Sequence, residues 1–378
     1  MKKILMIMYS LDPGGIESFV VNLIEHLNLS KMQVDVCIFN KRQEEKAFYE
    51  DRVLAAGAGV IKLWEGKNHY IGYFSRRKSL RKYLKQNRYD IVHIHGGFAD
   101  DALDCLAAHG CGAERIILHS HMAGLKLSRQ TWVQLALHYV MRALHAANLF
   151  ATDYFACSKE AAAWMFGAYC VDRTRLIPNG IVAEDFLYSE SDRQAYRRLL
   201  QLEDFFVIGN VGRLSGEKNQ IFLVEILWRI LQDENDCCLL ILGEGEEKKN
   251  IEERAEALGV ADRVKIVDNR YDVRRCYQAM DVFVMPSLAE GFGIACIEAQ
   301  ISGLKCIVSD RLPETTNITG TVRYLSLEQQ ADGWAEEILK VRGSKRLALS
   351  AEILKDAEFR IEHSAHLVEE YYYAGSME

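Results

Sequence analysis

FFVIGNVGRLS, residues 205–215, is the stretch that decides the fold. It is an apolar run broken by Gly209 and Gly212 and followed by Arg213 and Ser215. The chain starts in the same way, with KKILMIMYS (2–10) running into Asp12-Pro13-Gly14-Gly15. A buried strand entering a glycine turn accounts for both. The second occurrence marks a restart. A chain of 378 residues is long for one core and comfortable for two.

Each start is followed by the same alternation. IESFVVNLIEHLN (16–28) has helical period, and VDVCIFN (34–40), YDIVHIHG (89–96), ERIILHSH (114–121) and DYFACS (153–158) read as short strands. After residue 205 the strands are DCCLLILGEGE (236–246), DRVKIVD (262–268), DVFVMPS (281–287) and LKCIVSD (304–310). Short continuous apolar strands separated by helices imply parallel sheets covered on both faces. The expectation is two doubly wound α/β domains, 1–185 and 186–360, with a helical tail over 361–378.

The composition fits this. It is 49% hydrophobic and 26% charged, with 4 prolines, which disfavours disorder. The ten cysteines include no C-x-x-C pair, and several sit in apolar runs, so reduced buried thiols in a cytoplasmic protein are expected. No apolar stretch reaches the ~20 residues of a membrane span. The N-terminal apolar run ends in Asp12-Pro13-Gly14-Gly15 rather than a cleavage site, which argues against a signal peptide. Residues 1–185 hold 23 Lys+Arg against 19 Asp+Glu, whereas the rest hold 23 against 34. The two halves therefore meet different partners.

In open α/β sheets ligands bind beyond the carboxyl ends of the strands. Four such loops carry polar chemistry. Asp12 to Glu17 is a glycine turn at a helix start, suited to an anion. It matches neither the dinucleotide nor the Walker pattern, so NAD and ATP are not indicated. In Gly209 to Gln220, Arg213 and Lys218 could hold a diphosphate, one by its fork and one as a point charge. The third loop is Leu118-His119-Ser120-His121. The H-x-H spacing could ligate a metal, but no third ligand is suggested, and a cleft histidine beside a structural one is preferred. His93 and His95 read as packed histidines of the neighbouring strand.

The fourth loop is PSLAEGFGIACIEAQ (286–300). Glu290 lies in the loop and Phe292 to Gln300 reads as a helix, whose first N–H groups near Gly291, Phe292, Gly293 and Ile294 would face phosphate oxygens. A bare carboxylate accepts from two neighbouring hydroxyls, and Glu298, two turns on, can do the same. Two polyhydroxylated rings joined by a diphosphate satisfy this spacing, and a nucleotide sugar is such a molecule.

Gly14-Gly15-Ile16-Glu17, Ile177-Pro178-Asn179-Gly180-Ile181, Gly212-Arg213-Leu214 with Lys218, Leu242-Gly243-Glu244-Gly245, Asp281 to Ser287 and the Glu290/Glu298 pair occur in order. In this the chain resembles, over nearly its whole length, the retaining family 4 glycosyltransferases of the two-domain GT-B fold. The segment LKCIVSDRLPETTNITGTVRYLSL (304–327) and the His119–His121 element resemble the capsular and exopolysaccharide branch. The resemblance implies two Rossmann-like domains facing across a cleft, with the last helix returning to the first. It implies a UDP-sugar donor and no cofactor. Arg213 and Lys218 would hold the diphosphate, Glu298 the ribose and Glu290 the donor sugar. Gly15 would approach the phosphate and His121 would sit beside the reacting sugar. The family is metal-independent, in keeping with the absence of a D-x-D motif. Its acidic residue after Asn-Gly-Ile is Val182 here.

On the acceptor side, SRRKSLRKYLKQNR (75–88) has seven basic residues and no acid. Arg76, Arg77, Lys78, Arg81 and Lys82 are candidates for meeting an anionic membrane surface that carries a lipid-linked glycan acceptor. Residues 125–145 form an apolar-rich helix that either packs in the core or lines that acceptor. No nucleic-acid partner is expected. The rival readings are an epimerase of UDP-N-acetylglucosamine and an inactive partner subunit, both of the same architecture.

Overall fold

The computed structural model describes residues 1–40, 45–64, 69–124, 132–268, 271–290, 292–354 and 357–374. The chain divides into two compact units. One comprises residues 1–181 and 357–378, the other residues 182–356.

The first unit is built on a parallel sheet of seven strands. These are β1 (Lys2–Ile7), β2 (Met32–Asn40), β3 (Gly59–Trp64), β4 (Ile91–Gly96), β5 (Arg115–Ser120), β6 (Asp153–Ala156) and β7 (Arg175–Leu176). Their order is β3-β2-β1-β4-β5-β6-β7. The second unit has six: β8 (Phe206–Val211), β9 (Cys237–Leu242), β10 (Val264–Val267), β11 (Val282–Met285), β12 (Lys305–Ser309) and β13 (Val322–Leu325). They run in the order β10-β9-β8-β11-β12-β13. Both sheets start at a central strand, wind one way and then reverse, as the doubly wound pattern requires.

The continuous apolar runs became the central strands. Every residue of β4 and of β9 is buried, because helices cover both faces. The sequence pattern did not reveal β3, β7 and β13. All three lie at sheet edges, and each has exposed or half-exposed positions that break the apolar run.

The helix Ile361–Tyr373 belongs to the first unit. It enters through a parallel bridge between Ile181 and Arg360, with Ile361 N–H donating to Ile181 O at 3.0 Å. Ser364 Oγ donates to Pro178 O at 2.7 Å, and Arg115 Nη1 donates to Tyr371 O at 2.7 Å. Tyr372 is fully buried, its ring edge-on to His93 of β4.

Candidate functional site

In the second unit the strand order reverses between β8 and β11, and the loops that leave these two strands carry the expected polar residues. The loop after β8 is laced to the loop after β9. Gly212 N–H donates to Leu242 O at 3.0 Å, Leu214 N–H to Glu244 O at 2.9 Å and Glu247 N–H to Leu214 O at 3.0 Å. A Cβ on Gly243 would lie 1.9 Å from Gly212 O, so only glycine permits this approach. The lacing fixes the turn that bears the two cations. Lys218 N–H closes it on Ser215 O at 3.0 Å. Arg213 is exposed, and its guanidinium has no hydrogen-bond partner among the described residues.

The loop after β11 is tied to that turn. Leu288 N–H donates to Glu217 O at 2.7 Å, and Asn219 Nδ2 donates to Pro286 O at 3.2 Å. Ser287 is buried, with its carbonyl held by Ser309 Oγ at 2.5 Å. Its own hydroxyl donates to Glu290 Oε1 at 3.0 Å. Lys218 Nζ is ion-paired to the same oxygen. Lys218 and Glu290, placed apart by the sequence reading on two different groups of one ligand, are thus direct partners of each other.

The helix after Glu290 begins later than the sequence reading placed it. It spans Ile294–Ile301 rather than starting at Phe292, because Gly293 adopts φ +72° as its N-cap. The unpaired N–H groups therefore begin at Ile294. Phe292 lies before the helix, its carbonyl accepting from Thr316 Oγ1 at 3.1 Å, and Gly291 lies outside the described residues. Glu298 is partly buried. Tyr277 OH, in the helix Val273–Ala279, donates to its Oε2 at 2.7 Å. Burial pushes the Glu298 carboxyl up to about 7, against the opposing pull of that hydrogen bond.

In the first unit, Gly15 opens the helix Gly15–His26, exposed and without a side-chain cap. The expected histidine proves to be one of four. His93 and His95 on β4, with His119 and His121 at the end of β5, share one buried face of the sheet. Tyr372 OH lies 2.6 Å from His93 Nδ1, and His93 Nε2 lies 3.2 Å from His119 Nδ1. His95 Nδ1 lies 3.0 Å from His121 Nε2, and His121 Nδ1 lies 2.9 Å from Asn179 Oδ1. The amide oxygen accepts, so the network assigns the His121 proton to Nδ1 and has Nε2 accept from His95. The rings stack, His119 on His121 at 4.1 Å and His93 on His95 at 4.2 Å, with Phe19 edge-on or tilted above. Burial keeps all four neutral, lowering His121 to about 4 and His93 to about 3.

His121 is only 6% exposed and both its ring nitrogens are used, so a sugar hydroxyl would have to displace a protein partner. His93, His95 and His119 each bring a ring nitrogen within 4.8 Å of the others. A cation there would have to break the bonds that occupy both nitrogens of His93, and among the described residues no carboxylate joins the group. The arrangement is a hydrogen-bonded stack.

The basic segment needs correction. Arg76 and Arg77 turn inward onto Asp104, Arg76 Nη2 at 2.5 Å and Arg77 Nε at 3.3 Å. Arg77 is buried and also donates to Asp100 O at 3.2 Å. Arg81 donates to Leu106 O and His109 O at 3.1 and 3.2 Å. An acid-free stretch of sequence found its acid, Asp104, on the next helix. Lys78 and Lys82 do face solvent. Of the apolar segment 125–145, residues 125–131 lie outside the described residues. The helix Trp132–Ala143 buries Leu135 and Met141 and exposes Tyr139 and Val140.

Tyr277, Ser287 and Asn179 did not emerge from the sequence as site residues. Asn179 lay inside the Ile177 to Ile181 segment, which entered only as one of the motifs of the resemblance. The other two become visible only through their contacts with Glu298 and Glu290.

Two family models match successive parts of the chain. The model described as Glycosyltransferase Family 4 matches residues 13–185, and that described as Glycosyl transferases group 1 matches residues 192–352. A putative glycosyltransferase of Bacillus subtilis, EpsF, is 29% identical over 353 residues, covering 91% of this chain and 89% of its own. An Escherichia coli enzyme named UDP-Gal:alpha-D-GlcNAc-diphosphoundecaprenol alpha-1,3-galactosyltransferase is 30% identical over 238 residues, 61% of this chain and 60% of its own. Among solved structures, Anabaena HepE in complex with UDP and glucose superposes with a TM-score of 0.80 at 19% identity, covering 99% of this chain and 100% of that one.

Proposed function

Because the chain belongs to the family 4 glycosyltransferases of the GT-B fold, we propose that it is a retaining, metal-independent hexosyltransferase moving a sugar from a UDP-sugar to a lipid-linked glycan in exopolysaccharide or capsule synthesis. The observation that carries this reading is the convergence of Lys218, Ser287 and Glu290 on one point where the strand order reverses, with exposed Arg213 on the same turn. A diphosphate would take Lys218 and Arg213. That releases the Glu290 carboxylate to accept from sugar hydroxyls, and Glu298 takes the ribose. The relatives support the polymer setting. One is the enzyme named for galactosyl transfer to a diphosphoundecaprenol-linked sugar, and another is a capsular polysaccharide glycosyltransferase, CapM, of Staphylococcus aureus, 34% identical over 146 residues.

In the proposed mechanism the acceptor attacks the donor's anomeric carbon from the face the nucleotide leaves. The C–O bond to the diphosphate breaks as the new glycosidic bond forms. The leaving phosphate oxygen takes the acceptor's proton, so no protein nucleophile is needed. Arg213, Lys218 and the N–H groups at Ile294 stabilise the charge that grows on the diphosphate.

Among the described residues no helix is long and apolar enough to cross a membrane. In the proposal, Lys78 and Lys82 supply a peripheral contact with the inner face of the cell membrane.

The test is nucleoside diphosphate release, UDP from UDP-sugars and GDP from GDP-sugars, with diphosphoundecaprenol-linked acceptors, with and without EDTA. The anomeric configuration of the product is read by NMR. UDP release that requires acceptor, survives EDTA and gives a retained anomer is expected. Conversion of UDP-N-acetylglucosamine without acceptor would establish the epimerase reading. Release only with a second protein would establish the partner-subunit reading.

A further inference from the structure

Tyr277 is fully buried, and its hydroxyl reaches two acceptors, Glu298 Oε2 at 2.7 Å and Ala295 O at 3.1 Å. The carboxylate is the stronger acceptor and takes the proton. The position of that hydroxyl is over-determined. Its ring is packed by Phe186 and Phe283 at 5.9 and 5.8 Å. Arg346 Nη2 grips the end of its helix through Tyr277 O, Gln278 O and Met280 O at 2.9, 2.8 and 2.6 Å. At the other end Asp272 caps Arg274 N–H at 3.0 Å.

Glu298 is held differently. It has three rotatable side-chain bonds, it is partly exposed, and among the described residues no protein group is bonded to its Oε1. Among the described residues the tyrosine is its one side-chain anchor. A carboxylate that must receive two adjacent hydroxyls has to present its plane at a fixed angle, and an unanchored one would spend ordering entropy on every binding event.

We propose that Tyr277 is the positioning residue of the nucleotide site, fixing Glu298 through Oε2 so that the rest of the carboxylate receives both ribose hydroxyls and the site selects ribonucleotides over 2′-deoxyribonucleotides. This rests on the reading of Glu298 as the ribose-holding group. The ligand class follows: a nucleoside diphosphate with an intact vicinal diol. The hydrogen bond also favours the charged carboxylate, the form that accepts both hydroxyls, against the burial that favours the neutral one.

The experiment is calorimetric titration of UDP and 2′-deoxy-UDP into the wild type, Y277F and E298Q. The wild type should prefer UDP by on the order of tenfold or more, the range of a hydrogen bond to a charged group. Y277F should lose most of that preference, through UDP affinity, while 2′-deoxy-UDP affinity moves less than about threefold. E298Q should lose it too, and adding Y277F to E298Q should change little. If Y277F keeps the wild-type preference while E298Q loses it, the positioning role is wrong and the ribose reading stands. If E298Q also keeps it, the ribose reading falls and this inference with it. Should Y277F fail to fold, 3-fluorotyrosine at position 277 alters the hydroxyl's acidity with little change in packing. A shift in the preference of about twofold or more is then expected, and no shift overturns the proposal.

Discussion

Lys218 and Glu290 are ion-paired, and Ser287 donates to the carboxylate oxygen that Lys218 holds. The lysine side chain is 22% exposed and the glutamate 9%, so the pair sits at the edge of solvent rather than in it. In the proposed function a ligand with a diphosphate and a hydroxylated ring divides them, one partner to each part. Lys218→Ala should therefore lower kcat/KM by on the order of 10²–10³, measured as UDP release. Near-wild-type turnover in a folded Lys218→Ala protein would remove the diphosphate role.

Gly293 should tolerate no ordinary side chain. Its φ is +72°, and an added Cβ would lie 3.1 Å from Thr316 Cγ2 and 3.3 Å from Leu312 Cδ2. Gly293→Ala is expected to cost about 1–2 kcal/mol and to displace the start of the helix that carries Glu298. Gly293→Asn should cost less, because asparagine enters the left-handed region more readily. Urea denaturation of the two variants gives the ranking, and an alanine variant as stable as wild type would contradict it.

The histidine stack makes the first unit acid-sensitive. Burial lowers the pKa of His93, His95, His119 and His121 in the folded state, while in the unfolded chain each titrates near 6.5. The unfolded state therefore binds more protons below 6.5. Stability from this source is complete above 6.5 and falls as the pH drops toward about 4, where His121 itself titrates. Each histidine contributes a slope of about 1.4 kcal/mol per pH unit in that window. Urea midpoints at pH 7.5, 6 and 5 should fall steadily, and His119→Gln or His95→Gln should flatten the fall.

Within the basic segment the charges should separate by role. Arg77→Ala leaves the buried Asp104 with less compensation and should destabilise the protein by about 3 kcal/mol. Binding of the folded fraction to anionic vesicles should not change. Lys78→Glu with Lys82→Glu should leave the melting temperature alone and weaken that binding at low salt. Co-sedimentation and thermal melts read the two effects separately. Loss of vesicle binding in Arg77→Ala with an unchanged melt would reverse the assignment.

The central strands were legible because burial on both faces forces continuous apolar runs, as in β9 with Cys237 to Leu242. The edge strand β7 consists of Arg175 and Leu176, both exposed, and a run of two exposed residues leaves no hydrophobic signature. At the candidate site, the sequence singles out Arg213, Lys218 and Glu290 because cations and carboxylates in glycine-bearing loops have few structural uses, and Glu298 by its spacing from Glu290, two turns on in the helix that follows. Tyr277 and Ser287 are not singled out, because an aromatic and a small hydroxyl in apolar segments are the ordinary contents of a core. The inward turn of Arg76 and Arg77 was hidden for a related reason. Charge counted along the sequence ignores a neighbour such as Asp104, which lies on a different helix.

Residues 357–374 close the first unit, although 175 residues of the second unit separate them from its main body. On the ribosome the second unit thus emerges entire before the first can finish. Until Tyr372 arrives, His93 lacks its hydroxyl partner, Arg115 lacks the Tyr371 carbonyl, and the sheet that started first waits without this helix. The first unit is the earlier to be made and the later to mature. Truncation after residue 356 would leave a well-formed second unit attached to a first one that chaperones recognise as unfinished.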